Sequence, residues 1–203
     1  MKARTYRYNP RDLSCSDCLY RKKCCQLRPC PFIPEKVEAG ISTPQEALEF
    51  IAYELDNKDF SERLKVYMRS CIRRQQGIMI FNSEHHRDTF HSLMKTIYRE
   101  NTDLLSAVFL LSADYRLWLQ SWRYIEKNRI VFGKIHPKNL TAEGYTLYCA
   151  AKDIYLGTRH FNLKDLSDPR VVDRNTFGLI CNAMAIRRYG YNYIRLKEGD
   201  IYD

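Results

Sequence analysis

Five of the chain's eight cysteines fall within sixteen residues near its start, at Cys15, Cys18, Cys24, Cys25 and Cys30. The segment around them has too few apolar side chains to build a core, so cross-links or a metal must supply its order. The opening stretch MKARTYRYNPRD carries charge but no apolar run of the secretory kind, which gives a cytoplasmic expectation. In that reducing compartment clustered cysteines serve as metal ligands more often than as disulfides. Zinc takes four thiolates or imidazoles in a tetrahedron, commonly from Cys-x-x-Cys knuckles. Cys15 and Cys18 form one knuckle, and Cys24 or Cys25 together with Cys30 closes the site. The spacing leaves the choice between Cys24 and Cys25 open.

Charge is concentrated in the same place. The chain of 203 residues has a formal net charge of +9. Residues 1–30 hold eight basic side chains, among them Arg21, Lys22, Lys23 and Arg28, against Asp12 and Asp17, a net of +6. A basic arm carrying Tyr6, Tyr8 and Tyr20 suits an acidic partner, with nucleic acid or a nucleoprotein as the leading candidate. The same charges also suit a plain solvated surface.

The rest of the chain reads as mainly α: a compact multi-helix globule with at most short strands, behind the small cysteine-rich module. Three segments are expected: a basic cysteine module over 1–40, a helical hairpin over 41–81 and a helical domain over 82–203. The Pro-rich run 29–34 is expected to be non-helical and to close the module. Thr43, Pro44 and Glu46 have the pattern of a capping box opening a helix to about Asp56. A second helix, from about 59 to 76, puts Leu64, Tyr67, Met68, Cys71 and Ile72 on an inward stripe. On its other side Lys65, Arg69 and Arg73 form a basic ridge, flanked by Arg63 and Arg74. Residues 78–81 suit a strand or a buried connector.

Further helices are expected over 82–99, 103–113, 114–127, 141–156 and 173–189, with a short strand over 131–135. No apolar run reaches the length needed to span a membrane. Cys71, Cys149 and Cys181 fall on apolar faces as small core residues.

Three constellations bear on chemistry. Glu84, His85, His86, Asp88 and His91 crowd one helix start, where capping alone accounts for polar residues. Glu84, His85, His86 and Asp88 are the only acid–base candidates the chain offers. His136 and His160 read as structural or surface residues. Trp122, Arg123 and Tyr124, followed by Lys127, Arg129, Lys134 and Lys138, interleave rings and cations in a way that suits single-strand or RNA contact, while Trp118 is expected in the core and Trp122 suits either place. Arg187 and Arg188 before Tyr189 repeat that composition, and they also suit a helix end whose cations complement the dipole. No phosphate-gripping glycine loop, Gly-x-Ser-x-Gly elbow or His-Glu-x-x-His helix occurs.

Several segments carry a resemblance. They are Ser83-Glu84-His85-His86, Leu110-Leu111-Ser112-Ala113-Asp114, residues 148–155 (YCAAKDIY), 163–169 (LKDLSDP) and 182–191 (NAMAIRRYGY). Together they make residues 80–191 resemble an uncharacterised, domain-of-unknown-function family of Gram-positive bacteria, their phages and conjugative elements. The resemblance implies a cytoplasmic protein of bacterial mobile elements; together with the charge and the absent catalytic motifs it gives the expectation of a non-enzymatic protein that binds nucleic acid or a nucleoprotein. By analogy it further implies an inhibitor of a host defence nuclease such as a CRISPR effector. Separately, Cys15-x-x-Cys18-x-Tyr20-x-x-x-Cys24 is similar to the iron–sulfur run of some recombination and CRISPR-associated nucleases. That similarity implies the alternative, a metal- or iron–sulfur-dependent nuclease, although no carboxylate–lysine nuclease core is evident in the chain.

Overall fold

In a computed structural model of the protein, residues 29–73, 78 and 80–196 are described, with residues 72 and 73 in backbone alone. Capping chemistry sets most of the element boundaries. Helix α2 (Pro44–Leu55) opens on the expected capping box: Thr43 Oγ1 accepts from the Glu46 amide at 3.2 Å, and Glu46 Oε2 accepts from the Thr43 amide at 3.0 Å. Helix α7 (Ala142–Leu156) starts on Thr141, whose hydroxyl accepts from the Gly144 amide, and stops at left-handed Gly157. Helix α9 (Arg174–Tyr189) starts on Asp173, whose carboxylate accepts from the Asn175 and Thr176 amides.

The centre of the molecule is α5 (Thr102–Ser112). It is apolar on every side, so it has no face to give to water. Residues Leu104 to Ser112 are all buried, and α7 and α9 pack along it. Its two serine hydroxyls are satisfied inside the helix, Ser106 donating to the Thr102 carbonyl and Ser112 to the Val108 carbonyl. Around this rod stand α1 (Ile33–Glu38), α3 (Lys58–Arg73), α4 (Glu84–Leu93), α6 (Tyr115–Ser121), α8 (Leu163–Ser167) and α10 (Tyr191–Arg195). The protein is thus mainly α-helical, and among the described residues the sole β feature is an isolated Ile125–Ile130 bridge.

Four expectations need correction. Residues 29–34 are not wholly non-helical, because α1 begins at Ile33 with Pro34 in its first turn, where the missing amide costs nothing. The helix expected over 82–99 ends at Leu93; there the Thr96 hydroxyl and the Arg99 guanidinium take the Leu93 and Met94 carbonyls. The helix expected to 127 gives way at Ser121 to a 3-10 turn, Trp122–Tyr124. The strand expected over 131–135 is a 3-10 turn, Phe132–Lys134, and among the described residues no strand lies beside it. Ile78 and Ile80 are both buried and belong to the core.

Buried polar groups tie the elements together. Asn182 on α9 donates to the Ile80 carbonyl at 3.1 Å and accepts from the Tyr193 hydroxyl of α10 at 2.7 Å. Cys71, Cys149 and Cys181 are buried thiols, as expected of core residues.

Candidate nucleic-acid interface

The expected binding residues fall into three groups. Cys15, Cys18, Cys24 and Cys25, with Arg21, Lys22, Lys23, Arg28 and Arg74, lie outside the described residues. Cys30 lies within them, as a partly buried free thiol against the core. Among the described residues no group of three or more histidine, cysteine or acidic side chains could hold a metal ion.

The α3 ridge is less purely basic than its spacing suggested. Lys65 and Arg69 are exposed, but Lys65 is paired with Glu62 at 2.8 Å, and exposed Val66 lies between them. Arg73 is placed in backbone alone. Arg63 does not flank the ridge: its guanidinium donates to the Leu166, Val172 and Asp173 carbonyls and lies 4.3 Å over the Phe177 ring. It is a clamp holding α8 and the start of α9 against α3.

The third group is brought together. Leu117 and Ser121 anchor α6 inward, and Asp114 caps it by accepting from the Leu117 amide at 2.8 Å. A side chain at Gly144 on α7 would meet the Asp114 carboxyl carbon at 3.3 Å, so glycine lets the two helices approach closely. After the Trp122–Tyr124 turn the chain makes a tight hairpin. The Glu126 amide donates to the Arg129 carbonyl at 2.8 Å and the Val131 amide to the Tyr124 carbonyl at 3.0 Å. Its tip is fixed from outside, because the Tyr98 amide donates to the Lys127 carbonyl at 2.9 Å. Buried Ile130 and Phe132 root the hairpin, and the Ile130 amide donates to the Tyr155 hydroxyl. Gln120 then closes the segment, bonding the Lys138 amide and carbonyl at 2.7 and 3.1 Å.

Residues 115–138 therefore form one braced surface unit. It carries Arg116, Arg123, Lys127, Arg129, Lys134 and Lys138 against the single acid Glu126, a net of +5. All six cations are exposed. Arg129 binds Glu126 at 2.7 Å, which holds that carboxyl below its usual range. Among the described residues the other five have no ion pair. Tyr115, Leu119 and Trp122 stand out of the same surface, 58%, 46% and 50% exposed. Sequence reading found Trp122, Arg123 and Lys127 but missed Arg116, Tyr115 and Leu119. The missing signal was which α6 face is buried: once Leu117 and Ser121 point inward, 115, 119 and 122 must point out.

Most side chains of the other constellations are engaged in packing or pairing. His86 is fully buried, with both ring nitrogens engaged: Nδ1 accepts from the Asn82 amide at 3.1 Å and Nε2 lies 2.9 Å from the Phe109 carbonyl. That removes it from the acid–base candidates. Asp88 is paired with Arg87, and His85 lies edge-on to Tyr115. His160 is tied to Asp153 at 2.6 Å. Arg187 and Arg188 form ion pairs with Asp103 and Glu54, which staple the end of α9 to α5 and α2. No helix among the described residues is long and apolar enough to cross a membrane. Compared with known proteins, the chain matches no protein-family model, no curated protein and no solved structure.

Proposed function

We propose that the protein binds nucleic acid, free or within a nucleoprotein, through the surface formed by residues 115–138. The observation that carries this reading is the set of five exposed cations without carboxylate partners, gathered on a braced unit around exposed rings. Cations already paired contribute little to a polyanion, because an ion pair must be broken first. Unpaired ones displace counterions from phosphates, and the released ions drive association. Arg69 on α3 and the basic N-terminal arm add to the positive field. In the mobile-element setting that the family resemblance implies, a host defence nucleoprotein is one such partner.

Charge reversal tests the reading. Arg123→Glu/Lys127→Glu is expected to weaken binding of an unspecific oligonucleotide by about tenfold or more, and to lower the salt slope of log K by about two. Both side chains are exposed, so the unfolding free energy should stay within about 0.5 kcal/mol of wild type. Unchanged binding in the double variant contradicts the proposal.

The cysteine module belongs to the same reading as a zinc-stapled basic arm. Protein purified without oxygen is expected to be colourless and to hold about one zinc per chain. Iron with sulfide and a visible absorption band would instead support the nuclease alternative.

A further inference from the structure

We infer that Tyr115, Leu119 and Trp122 form a stacking platform for unpaired bases, so that this surface selects single-stranded over duplex nucleic acid. The inference rests on the nucleic-acid reading above and specifies the form of the ligand. The three side chains stand at i, i+4 and i+7, which places them in one line on the outer face of α6 and its continuing turn. At ~1.5 Å of rise per residue the line is about 10 Å long, the height of about three bases stacked at ~3.4 Å. Each of the three is about half exposed, and they are large flat or apolar groups on a segment, residues 115–138, whose net charge is +5.

Phosphate attraction alone does not account for them, because a backbone contact needs cations and no ring. A duplex presents phosphates outward and hides its base faces in the stack, so the rings would gain nothing from it. An unpaired base offers both faces, and stacking on an aromatic side chain holds any base without reading its sequence. Arg116 and Arg123 lie one position beyond Tyr115 and Trp122, on the flank of the stripe, where the strand's phosphates would run. The His85 ring, edge-on to Tyr115 at 5.5 Å between centroids, extends the platform at its α4 end.

The test is fluorescence anisotropy with labelled oligo-dT and oligo-U of about 12 nucleotides, and a mixed-sequence duplex of the same length. Wild type, Trp122→Ala and Arg123→Glu/Lys127→Glu are compared at one salt concentration. Wild type is expected to bind at least one single strand about tenfold or more tighter than duplex. Trp122→Ala should weaken that binding by about fivefold or more and leave duplex binding within about twofold. Charge reversal should weaken both forms. Tighter binding of oligo-U assigns the strand as RNA and of oligo-dT as DNA, and either supports the platform. Equal affinity for single strand and duplex, or a parallel loss of both in Trp122→Ala, overturns the inference while salt-dependent binding keeps the broader reading. No binding of any oligonucleotide, as expected if the stripe serves a protein, overturns both. Trp122 is exposed, so unfolding curves of Trp122→Ala should overlay wild type and separate lost binding from lost fold.

Discussion

Replacing Gly178 with alanine should destabilise the protein by about 2–3 kcal/mol, although alanine is the better helix former. Gly178 lies within α9 where Tyr67 of α3 crosses it. A Cβ there would meet Cζ of the tyrosine at 2.6 Å and Cε2 at 2.8 Å, with the hydroxyl closer still. Tyr67 cannot turn aside cheaply. Its ring is buried, stands edge-on to Phe177 at 5.9 Å, and has the Arg174 guanidinium 5.8 Å from its centre. The gain in propensity is about 1 kcal/mol, and overpacking a rigid ring costs more than that. For a domain of this size the melting temperature should fall by about 4–10 °C. A double-mutant cycle with Tyr67→Leu isolates the clash, since removal of the ring should make Gly178→Ala close to neutral. Additive losses in the cycle would show that the contact is not the cause.

The second large effect is on stability against pH. His86 is held neutral: burial pushes its pKa down to about 4, and nearby His85 adds to the shift. The amide of Asn82 points at Nδ1, so the one ring proton sits on Nε2 and is donated to the Phe109 carbonyl. A second proton would have to displace that amide inside a ring cluster of Phe81 and Phe109. A group whose folded pKa is depressed below its unfolded value near 6.5 contributes stability that is complete above pH 6.5. That stability declines as pH falls toward 4, because only the unfolded chain takes up the proton. The full contribution is about 3 kcal/mol, of which about 2 is lost by pH 5. His86→Leu should cost about 1–3 kcal/mol at pH 7, since it takes the acceptor from the Asn82 amide and leaves the buried Phe109 carbonyl with the Ser112 hydroxyl as its side-chain donor. The variant should also lose much of the decline between pH 7 and 5. An undiminished decline would assign the acid sensitivity to other groups.

The elements best read from sequence were those whose signals are local. Thr43 with Glu46, Thr141 with Gly157, and Asp173 with Gly190 each mark a boundary within a few residues, and the helices between them end where those signals sit. Residues 131–135 misled because a short run with Val131, Phe132 and Ile135 reads as a strand, while a strand needs a partner that no local pattern supplies. Arg63 misled for a related reason. Its spacing fits an exposed ridge, but its partners lie more than a hundred residues onward. In the interface, Trp122, Arg123 and Lys127 were legible from interleaved composition. Arg116, Tyr115 and Leu119 became visible only when packing fixed which side of α6 faces the core.

The chain's two tryptophans, Trp118 and Trp122, both lie in the proposed interface, so intrinsic fluorescence reports on it without a label. The most direct test is to titrate wild-type protein with a short oligonucleotide at several salt concentrations and follow tryptophan emission. Binding through residues 115–138 predicts saturable quenching whose affinity falls linearly in log K against log salt, with quenching lost in Arg123→Glu/Lys127→Glu. Emission that stays constant through saturating oligonucleotide, while binding is confirmed by another signal, would place the ligand elsewhere and contradict the account.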